Sequence, residues 1–222
     1  MKKFFYFVLL FLMSFFSFSK EKANKKEKEI ENVIEYIKKY AAFAIEEMEK
    51  FGVPASIKLG QGILESSIGN SSLSKATNNH FGIKCGKNWI GDVYYHDDDI
   101  PKECFRKYNS VQESFHDHSM FLQQPRYSKL FFIKKDDYQA WASELKKAGY
   151  ATSFNYANLL IDQIEKYYLW KFDKNSSHSI EKRISQYLNY IRSKNNINSS
   201  FFMRKFHFFC KFLSFVKKKL SI

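Results

Sequence analysis

From Ile30 to Ile191 the apolar residues return three or four positions apart in one segment after another, and the pattern lapses only once. A chain written this way must bury a series of helical stripes against one another. Ile30, Val33, Ile34, Ile37, Ala41, Ala44, Ile45 and Met48 mark one face of a long helix, which Gly52 and Pro54 should stop. A second helix is expected from near Pro54 through Leu59, Ile63 and Leu64 to Gly69. The capping box Ser110-x-x-Glu113 opens a third, through Phe115 and Leu122. Tyr138, Trp141, Ala142, Leu145 and Ala148 set out another, closed by Gly149 as a left-handed cap. Ala157, Leu160, Ile161, Ile164 and Tyr168 give the next, and Ile180, Ile184, Tyr187 and Ile191 a last one. The lapse is Trp89–Tyr108, where β-prone residues flank an Asp-rich turn containing Pro101. The expected class is α+β, mostly α, with a helical lobe and a small β-hairpin lobe.

The two ends of the chain are built differently. Met1-Lys2-Lys3 precedes an apolar run from Phe4 to Phe18 broken only by Ser14 and Ser17. A basic start, a short apolar stretch and small residues at Ser17 and Ser19 are the layout of a secretory signal peptide over residues 1–19. The run is shorter than the ~20 residues of a spanning helix, and an uncleaved anchor is the alternative. Residues 20–29 read as a charged linker, 30–172 as the body, and 173–199 as a helical extension. Residues 200–222 hold no acid and six bases: Arg204, Lys205, Lys211, Lys217, Lys218 and Lys219. Phe202, Phe206, Phe209, Leu213, Val216 and Leu220 fall on one stripe of that tail. Such a helix either lies against an anionic membrane or packs on its own domain.

Location changes what the charge means. The chain carries +13, but without the two lysines of the leader and the six bases of the tail the remainder carries +5. A body so mildly basic needs no nucleic acid, and a polyanionic cell envelope is an equally good partner. The protein is read as exported, to a periplasm, the envelope or the medium, and as a monomer without a nucleic-acid partner.

Cys85 and Cys104 flank the extended segment. Joined, they would close a loop of about 20 residues and contribute roughly 3 kcal/mol, in a compartment that permits the bond. The alternative is zinc held with His80 and His96, although the spacing matches no zinc signature. Cys210 is left over in the tail. Glu65 lies near the end of an otherwise apolar helix, where partial burial disfavours its charged form and raises its pKa. A general acid at a glycosidic oxygen needs that property; a solvated helix glutamate is the bland alternative. Asp97, Asp98 and Asp99 at the hairpin tip are either a solvated turn or the source of a second carboxylate, and they lack the spacing of an EF-hand. Tyr150 and Tyr156 flank a helix junction, as core rings or as surfaces for a sugar.

Gln61–Ser71, Asn79-His80-Phe81-Gly82-Ile83-Lys84, Phe105-Arg106-Lys107-Tyr108, Pro125-Arg126-Tyr127 and Gly149-Tyr150-Ala151-Thr152 follow one another in a familiar order. In this the chain resembles glycoside hydrolase family 73, the peptidoglycan endo-β-N-acetylglucosaminidase domain of flagellar-muramidase-like proteins and autolysins, over about residues 30–170. The resemblance implies a lysozyme-like fold, a glycan groove between the lobes, peptidoglycan strands as partner, and no cofactor or metal. Glu65 matches the family's catalytic acid. Asp98 is the expected second carboxylate, and Tyr150 the third catalytic group. Asp97, Asp99, Phe81, Tyr127 and Tyr156 are the expected substrate contacts. One departure is Ser153, where the family often has Asp after Tyr-Ala-Thr. Retaining, inverting and substrate-assisted routes all remain open. So do two other classes: a non-catalytic glycan-binding or scaffold protein, and a membrane-associated protein acting through its basic tail.

Overall fold

In a computed structural model the chain is described over residues 2–98, 100–174 and 178–194, and its side chains over the same residues except 2–20, 22 and 23. It runs α1 (Lys2–Phe51), α2 (Ala55–Glu65), α3 (Ser72–Thr77), β1 (Val93–His96), β2 (Glu103–Arg106) and α4 (Val111–Leu122). A 3-10 segment (Pro125–Phe132) leads to α5 (Tyr138–Lys147) and α6 (Tyr156–Lys166). A second short 3-10 turn (Leu169–Phe172) and a helix over 180–194, α7, complete the described chain. This is the expected α+β, mostly α class. The expected tail 200–222, Cys210 and residues 195–199 lie outside the described residues, as does Asp99. Among the described residues no helix is long and apolar enough to cross a membrane.

The apolar stripe of α1 (Val33, Ile37, Ala41, Ala44, Ile45, Met48) is buried as its spacing requires. It packs on α2, of which every residue from Ala55 to Ile63 is buried. A helix surrounded on all sides needs small residues where its neighbours come close. A Cβ at Gly60 would lie 2.8 Å from Leu160 and 3.0 Å from Ile164 of α6. One at Gly62 would collide with the Tyr36 hydroxyl of α1. The two glycines let α1 and α6 close on opposite sides of α2 and so fix where its C-terminus, Glu65, emerges.

Two boundaries differ from the sequence reading. Residues 20–29, expected as a charged linker, are helical and continue into α1. Glu, Lys and Ala are good helix formers, and Glu21 and Lys25 stand four apart in the favourable order. Glu29 at the end of that stretch pairs with Lys166 of α6 at 2.7 Å. The second helix ends at Glu65 and not near Gly69, because Ser67 and Ile68 take left-handed angles, φ +51° and +63°. Ser66 organises that turn: its hydroxyl donates to Gly62 O and accepts from Gly69 N at 2.7 Å, and its carbonyl accepts from Ser71 N at 2.9 Å.

The hairpin is antiparallel, pairing Val93 with Arg106, Tyr94 with Phe105, Tyr95 with Cys104 and His96 with Glu103. Cys85 N donates to Cys104 O at 2.8 Å, which sets the two thiols face to face, and they form a disulfide. The zinc alternative falls with it. Among the described residues no His, Cys, Asp and Glu group could hold a metal, and the His80 ring is turned to the Tyr36 hydroxyl at 2.8 Å. Arg106 grips the Asp117 carboxylate of α4 at 2.9 and 2.7 Å, and Tyr108 donates to the same group at 2.6 Å. Asn79 bridges Ile83 O at 2.9 Å and Arg106 O at 3.0 Å. These contacts hold the hairpin against the helices at a set angle to Glu65.

Candidate active site

Glu65 is partly buried at the last turn of α2. Removal from water is the main cause of a pKa pushed up to about 7; a hydrogen bond from Tyr156 works the other way, and the negative charge of Asp98 adds to the rise. The carboxyl therefore keeps its proton well above the usual carboxylate range, the direction the sequence reading expects. Tyr156, at the start of α6, is buried and receives a hydrogen bond from Gln61 Nε2 at 2.7 Å. Asp98 approaches from the hairpin turn. Lys84 lies beside it, 3.5 Å from Asp98 Oδ2 and 2.9 Å from Glu103 Oε2. The carboxyl of the helical lobe thus feels the charge of a second carboxyl group carried by the β lobe.

Behind them stands an aromatic wall. Tyr150 stacks on Tyr156 with ring centroids 5.7 Å apart, and its hydroxyl reaches Phe81 O at 3.4 Å. Tyr127 lies 6.3 Å from Tyr150, and Arg126 covers the Tyr127 ring at 4.5 Å. Phe81 stacks on His118 at 4.0 Å, and Lys58 lies beneath both, wholly buried, donating to Phe115 O at 2.7 Å. Burial lowers the Lys58 ammonium to a pKa of about 7.

Of the expected site residues, Glu65, Asp98, Tyr150 and Tyr156 come together. As expected substrate contacts, Phe81, Tyr127 and Tyr156 correct the sequence reading: at 3%, 0% and 3% exposure they offer a glycan little surface. Phe81 and Tyr127 pack behind Tyr150. Asp97 is exposed, and its carboxylate accepts from Lys102 N at 2.7 Å, closing the hairpin turn. Sequence reasoning did not single out Gln61, Lys84 or Phe154. Gln61 was visible as the residue four before Glu65, on the same helical face. Phe154, 96% exposed two residues before Tyr156, and Tyr95, 64% exposed on β1, present free ring faces.

The sequence profile of the glucosaminidase family, described as mannosyl-glycoprotein endo-beta-N-acetylglucosaminidase, matches residues 41–169. The chain belongs to the glucosaminidase family. All the site residues just described fall inside that match. Among curated relatives it is 32% identical over 163 residues to the exo-glucosaminidase LytG of Bacillus subtilis, covering 68% of this chain and 57% of that one. It is 32% identical over 148 residues to the peptidoglycan hydrolase FlgJ of Vibrio parahaemolyticus, covering 61% and 47%. The chain thus spans about half the length of these relatives. Among solved structures, a peptidoglycan hydrolase from Sphingomonas sp. A1 superposes with a TM-score of 0.56 at 29% identity, over 66% of this chain and 98% of that one. The glycoside hydrolase domain of Salmonella typhimurium FlgJ gives 0.52 at 26%, over 75% and 98%. A glucosaminidase domain therefore accounts for the helical body and the hairpin together.

Proposed function

We propose that this glucosaminidase-family chain is an exported peptidoglycan hydrolase that cuts the glycan strand at N-acetylglucosaminyl bonds, with Glu65 as the general acid. The observation that carries the reading is the Glu65 carboxyl at the end of α2, whose burial pushes its pKa up to about 7 and whose ionisation the negative charge of Asp98 further disfavours. Glu65 gives its proton to the glycosidic oxygen as the bond to the anomeric carbon breaks, so the leaving sugar departs as an alcohol. Positive charge developing on the ring is met by the carboxylate of Asp98, on the hairpin. Water then attacks the anomeric carbon, and the proton it loses passes, directly or by way of the second carboxylate and solvent, back to Glu65, restoring the starting state. Tyr156 donates to the Glu65 carboxylate once the proton has left, and Tyr150 holds Tyr156 by stacking. Phe154 and Tyr95 supply ring faces on which sugars stack. The substrate lies outside the cytoplasm, which is the task of the Phe4–Phe18 leader.

The test is digestion of purified peptidoglycan by the full chain, followed by reducing-end analysis. New N-acetylglucosamine ends are expected. Muramic acid ends would make the protein a muramidase, and no soluble fragments from several walls would overturn the hydrolase reading in favour of a glycan-binding scaffold.

A further inference from the structure

Gln61 stands one turn before Glu65 on α2, wholly buried, and reaches out of its own helix to α6. Its Nε2 donates to the Tyr156 hydroxyl at 2.7 Å. With that oxygen engaged as an acceptor, the single hydroxyl proton of Tyr156 is free to point elsewhere, and the Glu65 carboxyl is its partner. The other end of the amide, Gln61 Oε1, is buried and meets no hydrogen-bond donor among the described residues. An unpaired buried acceptor is destabilising. A methionine occupies similar space without one, so the amide is a poor choice for packing alone. What distinguishes it is the donation it makes to the Tyr156 hydroxyl, the group that hydrogen-bonds Glu65.

We propose that Gln61 is a positioning residue for the proton donor: by holding the Tyr156 oxygen from behind, it makes that hydroxyl a fixed, polarised donor to Glu65. The inference rests on the reading of Glu65 as a general acid. Hydrogen bonds in a chain strengthen one another, and donation to a carboxylate favours its charged form. The pair thus opposes the effect of burial and keeps Glu65 able to release its proton. Among the described residues, the titratable groups that interact electrostatically with Glu65 are Tyr156 from α6, Tyr150 from the loop before it, and Asp98 from the hairpin turn. Gln61 acts through the first of these.

The experiment is a carbon-13 NMR titration of the full chain labelled at the glutamate carboxyl, with Glu65 assigned by its absence from Glu65→Gln. Gln61→Met is expected to raise the Glu65 midpoint by about half a pH unit or more, without lowering the thermal midpoint below the parent's. Added to Tyr156→Phe, the same substitution should move nothing further. Gln61→Leu replaces Gln61→Met if the latter does not fold. An unmoved midpoint, or an equal shift with and without the Tyr156 hydroxyl, overturns the proposal. The titration needs no turnover. Expected shifts in a protein that releases no glycan fragments would keep the Gln61 coupling and sink the hydrolase reading; fragment release with an unmoved titration would do the reverse.

Discussion

Glu65 is where fold and chemistry compete for the same side chain. Its carboxyl titrates near pH 7 in the fold and from an ordinary value of 4.5 when unfolded, because burial disfavours the anion. Below pH 4.5 both states are protonated and the group costs nothing. As pH rises from 4.5 to 7 the unfolded chain loses the proton first, so stability falls through that window and stays reduced above it. Glu65→Gln removes the titration. The variant is expected to match the parent near pH 4 and to exceed it by roughly 2–3 kcal/mol near pH 8, measured by denaturant unfolding at both values. Equal stability at both would mean the carboxyl is not held neutral by its surroundings. Much of this residue's setting was legible in sequence: an acid at the end of an apolar helix is bound to be partly buried. The partners that tune it were not, because Tyr156 lies about ninety residues away and Asp98 on another lobe.

At the scale of elements, every helix but the short α3 followed from the spacing of apolar residues, and the hairpin from the segment that looks extended. The misreadings came where a local signal was overruled. The charged stretch over 20–29 looks like a linker by composition, yet its residues have high helix propensity and it is helical. Phe81 and Tyr127 look like sugar contacts beside the motif residues, yet packing against His118 and Tyr150 buries them. No spacing rule distinguishes a ring that lines a groove from one that supports its lining. Among the cross-connections that hold the hairpin are the Cys85–Cys104 disulfide and the Arg106–Asp117 pair. Opening a disulfide of this loop length is expected to cost about 3 kcal/mol, and the loss falls on the lobe that carries Asp98. Reduced protein should keep its far-ultraviolet circular dichroism at 25 °C while glycan release drops several-fold. Full activity after complete reduction would show that the disulfide does not hold Asp98 in place.

For the molecule as a whole, α2 is the axis: Gly60 and Gly62 admit α6 and α1, the Ser66 turn ends the helix at Glu65, and the clamped hairpin carries Asp98, whose charge reaches Glu65. This arrangement brings motifs that lie far apart in sequence into one part of the fold. Gln61–Ser71 carries Glu65 and its turn, Asn79–Lys84 and Phe105–Tyr108 hold the hairpin, and Gly149–Thr152 carries Tyr150 of the aromatic wall. The central claim is that Glu65 delivers the proton, and the most direct test is the pH profile of glycan release by the full chain beside Glu65→Gln. The parent should lose activity as pH rises through about 7, where its acid gives up the proton. The glutamine variant, folded but unable to donate, should be slower by about 10²–10⁴-fold at every pH. A glutamine variant within a few-fold of the parent, with the same alkaline limb, would contradict the account.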